Sequence, residues 1–147
     1  MKIENRLAIF EKACFIRTFE AKVAECYNKK LITFPIYLCT GQEFIPSTLS
    51  TKFKPEAIFA QHRAHGTYLA FGGDPVRLAE ELLNVGRSRG YCGSASINSK
   101  EINMFGHSGL MGDQGPIATG YALATQKKTL CILGDASVEE DYVLGAL

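Results

Sequence analysis

"PIATGYALATQKKTLCILGDASVEEDYVLGAL", residues 116 to 147, decides the fold class. Its first half carries small residues on several faces of a helix, as close packing against a sheet or another helix requires. Lys127 and Lys128 then lead into TLCIL, a short apolar run that fits a fully buried parallel strand. GDAS breaks the strand, and SVEEDYVLGAL starts a second helix in which Ser137 and Glu140 have capping-box spacing. Helix, buried strand, glycine-aspartate turn, helix is half of a doubly wound α/β sheet, whose ligand crevice lies at the carboxyl ends of its strands.

Working outward from this stretch, "GHSGLMGDQG" places glycine at every third position from Gly106 to Gly115. Glycine costs more backbone entropy on folding than any other residue, so four of them imply a chain that must come close to something flat or charged. Residues 86 to 115 as a whole form a glycine- and serine-rich tract without periodicity, and a long loop inside a compact domain is usually functional or disordered. Asp74-Pro75 reads as an N-cap with proline at the first helical position, opening VRLAEELLNVG. Ala57 to Ala60 read as a short buried strand, and TGQEF leads into a short helix. From Ile3 to about Lys30 apolar residues recur three and four apart (Leu7, Phe10, Cys14; then Phe15, Phe19, Val23, Tyr27), which predicts a long N-terminal helix.

The chain has 147 residues, 46% of them hydrophobic, enough for one domain with a real core. Sixteen Lys+Arg against fifteen Asp+Glu leave a net charge of +1 with no basic cluster, which argues against nucleic acid or an anionic membrane as the main partner. Charges interrupt the N-terminal apolar residues, and uncharged stretches are too short for a membrane span, so a cytoplasmic protein is the default expectation. Five cysteines (Cys14, Cys26, Cys39, Cys92, Cys131) show no C-x-x-C pair and read as reduced, mostly buried small hydrophobes.

Two segments carry candidate chemistry. Asp135 stands at the end of a strand before a helix start, where a carboxylate can hold a divalent cation and helix-end N–H groups accept phosphate; it can equally cap the helix. Gln61-His62-Arg63 closes another strand, with an arginine suited to bidentate phosphate or carboxylate capture, or simply a surface arginine beside ordinary histidines. Metal binding by His62 and His65 has no third ligand to support it. His65 and His107 are the histidines open to acid–base work, and no residue is singled out as catalytic.

Together, TGQEF, QHRAHG, GDPVRLAEELL, GSAS, SGLMGDQGPIATGYALA and GDAS resemble, in order and spacing, the alpha subunit of thiamine-diphosphate-dependent 2-oxo acid dehydrogenases. The resemblance covers most of the chain and implies an α/β thiamine-diphosphate-binding fold, a doubly wound parallel sheet with flanking helices, truncated relative to the longer subunits of that family. It implies that Gly109 and Met111 contact the aminopyrimidine ring, that Gln61, His62 and Arg63 bind the diphosphate, and that Asp135, within Gly134, Asp135, Ala136 and Ser137, is the first Mg2+ ligand. It also implies a homo- or hetero-oligomer with a beta subunit that supplies the activating glutamate, a lipoyl domain as acyl acceptor, with an acceptor aldehyde or a carboligation left open, and a further asparagine ligand to Mg2+ downstream of residue 147, so that the isolated chain is inactive. His62 replaces a usual tyrosine, Tyr37 stands where histidine is common, Gly93-Ser94-Ala95-Ser96 replaces G-S-M-H, and GDAS replaces GDGA. Two other readings stay open: a non-catalytic remnant or assembly subunit of the same fold, and a generic nucleotide-phosphate binder, against which the chain has no G-x-G-x-x-G after TLCIL and no P-loop lysine pattern.

Overall fold

The computed structural model describes residues 3–88 and 97–147. Helix α1 (Ile3–Asn28), α2 (Phe44–Lys52), strand β1 (Ala57–Gln61), α3 (His65–Ala70), α4 (Pro75–Leu83), β2 (Met104–Ser108), α5 (Gln114–Thr125), β3 (Thr129–Ile132) and α6 (Asp141–Leu144) follow in that order, with 3₁₀ turns at Gly86–Ser88 and Ala136–Glu139. The contacts divide the chain into two compact units, one built from α1 to α4 and the other from the three strands with α5 and α6. No helix among the described residues is long and apolar enough to cross a membrane.

In the helical unit, α1 packs on α2 and α3. Its buried stripe is Ile9, Ile16, Glu20 and Val23, whereas Leu7, Phe10, Phe15 and Tyr27 from the apolar spacing are exposed. The period predicted the helix correctly, but of the apolar residues that carried it Val23 alone is buried, and the inner stripe includes the polar Glu20. Glu20 is fully buried; one carboxylate oxygen accepts the Cys39 N–H at 2.5 Å and the other pairs with His65 Nδ1 at 2.7 Å. Arg17 grips the buried Glu43 with two bonds, Nε to Oε1 at 2.5 Å and Nη2 to Oε2 at 3.0 Å, and Glu43 Oε1 also accepts the Gly41 N–H at the start of the TGQE turn. At α4 the Asp74 side chain accepts the Val76 N–H at 2.8 Å, with Pro75 at the first helical position, as the sequence predicted.

In the sheet unit the strand order is β2-β1-β3 and every pairing is parallel. β1 is central and all five of its residues are buried. α5 packs over the sheet through Ala118 against Ala57 and Phe59, with Tyr121 and Cys131 at the margin and the Phe59 and Tyr121 rings 5.5 Å apart. Burying a side chain the size of Phe59 stabilises by about 1.5–3 kcal/mol. This is the mixed α/β architecture that the 116–147 stretch implied.

Three expectations need correction. The tract from 86 to 115 is not loop throughout, since MFGHS forms β2. Gly106 is the reason this strand fits: a Cβ there would collide with the Phe59 ring and the Gln114 amide oxygen. β3 is parallel but half-buried, because it borders the sheet. Of the described cysteines, Cys39 is buried, Cys26 and Cys131 are half-buried and Cys14 is exposed, all four as free thiols. Cys92 and the Gly93–Ser96 departure lie outside the described residues.

Candidate functional site

Parallel pairing brings the carboxyl ends of three strands to one edge of the sheet. β1 ends at Gln61, followed by His62 and Arg63; β2 ends at Ser108, followed by Gly109 and Met111; β3 ends at Ile132, followed by the Gly134–Ser137 turn. All nine candidate residues therefore end or follow a strand on that edge. A doubly wound sheet binds its ligands there.

Gln61 joins these segments. Its side-chain oxygen accepts the Gly134 N–H; its Nε2 donates to Ser137 Oγ at 2.9 Å and lies 3.5 Å from Met111 Sδ. Gln61 and Ser137 are both buried. Ser137 consequently does not form the capping box expected of it: α6 has no side-chain cap, and a 3₁₀ turn separates Ser137 from it. A contact from across the sheet displaced a local one. Asp135 and Ala136, between the two anchored residues, are exposed, as is Arg63.

The glycine loop is held from its other side. The Tyr142 hydroxyl donates to the Met111 carbonyl, and Leu110 N–H reaches Ser108 Oγ at 3.0 Å. Gly112 has φ +82°, and a Cβ on it would stand 2.8 Å from Val143 and 2.9 Å from Tyr142. Glycine at 106 and 112 is thus demanded by the protein's own packing, while Gly109 and Met111 lie exposed. Tyr142 had no signal in the sequence, since it acts on a backbone oxygen 31 residues away.

The electrostatics separate the histidines. His62 is half-buried, and burial, reinforced by the neighbouring Arg63, lowers its pKa, which favours a neutral ring that can donate one hydrogen bond. His65 is fully buried with Nδ1 committed to Glu20, so it belongs to the helical unit's framework. For His107 only the backbone position in β2 is described. Burial, with Asp113 second, pushes the Cys131 thiol up to about 11, and burial above all pushes Cys39 up to about 12; neither is a thiolate nucleophile at neutral pH.

The donor set suits a phosphate-bearing ligand: a guanidinium and an imidazole at the end of β1, and one exposed carboxylate at the end of β3. Among the described residues no group of three His, Cys, Asp or Glu gathers to hold a metal.

Strand order and parallel pairing define a mixed α/β protein whose candidate donors follow the carboxyl ends of its strands. Residues 11–147 match the model of the dehydrogenase E1 component family, and the chain belongs to that family. It is 31% identical over 149 residues to the mitochondrial pyruvate dehydrogenase E1 component subunit alpha-1 of Oryza sativa subsp. japonica, covering 96% of this chain and 38% of that protein. It is 30% identical over 152 residues to the pyruvate dehydrogenase E1 component subunit alpha of Zymomonas mobilis, covering 97% and 43%. With the human testis-specific mitochondrial form the identity is 30% over 139 residues, covering 89% and 35%. The chain therefore spans about two fifths of the length of these relatives.

Proposed function

We propose that the chain forms one wall of a thiamine-diphosphate site in an E1 enzyme acting on a 2-oxo acid. The observation that carries this reading is the convergence of the 61–63, 109–111 and 134–137 segments on one sheet edge, joined through Gln61. Family membership supports the cofactor, and the names of the relatives support pyruvate or a similar 2-oxo acid as substrate.

When bound, thiamine diphosphate supplies the electron sink that allows a 2-oxo acid to lose carbon dioxide. The residues of this chain bind and orient. Arg63 takes diphosphate oxygens in its fork, and neutral His62 donates one hydrogen bond to them. Asp135 would supply a hard oxygen to Mg2+. Exposed Met111 offers an apolar support to the cofactor, and the loop backbone at Gly109 and Met111 offers hydrogen bonds to its ring. No proton transfer is assigned to this chain; a beta subunit supplies the activating carboxylate, and a lipoyl domain accepts the acyl group.

Calorimetric titration with thiamine diphosphate and Mg2+, of the chain alone and mixed with a beta-type subunit, tests the proposal. Saturable binding that requires Mg2+, weakened about tenfold or more by Arg63→Ala, is the expected result. Absence of binding in both preparations overturns the cofactor reading and leaves a non-catalytic member of the same fold.

A further inference from the structure

Building on the proposed cofactor reading, we infer that Gln61 is a positioning residue: its amide clips the end of β1 to both ends of the Gly134–Ser137 turn and to Met111, and it serves the diphosphate and Mg2+ through Asp135.

The inference rests on the capacity of one amide group. A glutamine side chain offers two N–H donors and one oxygen acceptor. Gln61 directs its oxygen to the Gly134 N–H and its nitrogen to Ser137 Oγ and Met111 Sδ, and only 7% of its surface is exposed. Little of the group remains to meet a ligand. Its neighbours His62 and Arg63 are the accessible members of the segment.

The placement of the anchors gives the clip its consequence. Gly134 and Ser137 bracket Asp135 and Ala136, so one side chain holds the turn on either side of the exposed carboxylate. Gly134 is suited to the close approach, since a Cβ there would stand 3.2 Å from the Gln61 oxygen. The Ser137 anchor needs a hydroxyl, which is what GDAS offers and GDGA would lack. On the far side, Met111 is held at its sulfur by Gln61 and at its carbonyl by Tyr142. A metal ligand held in advance binds more tightly than one that must be ordered on binding, and outer groups that orient ligands typically govern about 10–100-fold in metal affinity.

The test compares Gln61→Met, Gln61→Glu and Ser137→Ala with the wild type, on the chain in the preparation that binds cofactor. Two readouts are taken: hydrogen exchange of the Gly134 amide by NMR, and the Mg2+ concentration that half-saturates thiamine diphosphate binding. Gln61→Met, close in length but without the amide, is expected to speed Gly134 exchange and raise the Mg2+ requirement about tenfold or more. Ser137→Ala is expected to move both in the same direction by about threefold, and it keeps the test usable if Gln61→Met fails to fold. Gln61→Glu can still accept from Gly134 N–H and can accept from the Ser137 hydroxyl, so Gly134 protection is expected to return toward wild type.

Wild-type exchange at Gly134 in both Gln61→Met and Ser137→Ala overturns the clip. A Gln61→Met protein that loses cofactor affinity while Ser137→Ala keeps the wild-type Mg2+ requirement also overturns it, in favour of Gln61 as a direct ligand. A wild type that binds no cofactor defeats the proposed function instead, and the exchange measurements then decide the clip alone.

Discussion

The two units use the same kinds of side chain for opposite ends. In the helical unit Glu20, His65 and Glu43 are buried and committed to one another, to Arg17 and to the Cys39 and Gly41 amides. At the strand ends of the sheet unit, Arg63 and Asp135 are exposed, and the buried polar members, Gln61 and Ser137, are uncharged. Buried polar groups held in fixed pairs make a framework, whereas the Asp135 side chain stands at the surface of an anchored turn. The lesson is that neither a histidine nor a carboxylate in a motif declares its role until its partners are known.

The largest effect that should break this contrast is Glu20→Ala. Removing the side-chain oxygens strips a bond from the buried Cys39 N–H and from His65 Nδ1, and a buried hydrogen-bonding group left unsatisfied typically costs about 1–3 kcal/mol. A fall in the thermal unfolding midpoint by many degrees is expected, and an unchanged midpoint would mean that this cluster does not hold the unit.

Glu43 tests the same framework through pH. Its hydrogen bonds from Arg17, aided by the Gly41 N–H, lower its pKa to about 2 from an ordinary 4.5. A carboxyl depressed in the folded state stabilises above its unfolded pKa and loses that contribution as pH falls. Stability should therefore decline as pH drops from about 4.5 towards 2, and Glu43→Gln should be less stable at pH 7 yet lose part of that acid slope. Urea unfolding at a series of pH values measures it; identical slopes in the two proteins would remove Glu43 from the account.

The smallest effect sharpens the other side of the comparison. Asp135→Asn lies at an exposed position and should change stability by no more than about 0.5 kcal/mol, while abolishing the Mg2+ dependence of thiamine diphosphate binding. A large drop in unfolding stability would make Asp135 part of the framework.

Much of the fold was legible because its signals are local. The period of α1, the Asp74-Pro75 start of α4 and the apolar runs of β1 and β3 each lie within one segment. β2 was hidden because a strand of mixed composition, with glycine at its centre, carries no alternation; its glycine answers to Phe59 and Gln114 from other elements. Ser137 was misread for a related reason. Its spacing to Glu140 is that of a capping box, but its hydroxyl is engaged by Gln61, 76 residues earlier. The candidate segments could be found from their order along the chain; the residue that connects them could not, because a glutamine gains meaning only from what faces it.

The central position of β1 also governs how the sheet unit can fold. β1 precedes both of its neighbours, and its partners arrive only after long intervening segments, Met104 opposite Ile58 on one side and Leu130 on the other. Parallel pairing of this kind must close large loops before it gains any contacts, which places such sheets among the slower topologies. During synthesis the buried strand AIFAQ leaves the ribosome well before either neighbour exists to cover its edges. Its protection in that interval has to come from elsewhere, which makes the order of synthesis, rather than the strength of any single contact, the point at which this unit is most exposed to misassembly.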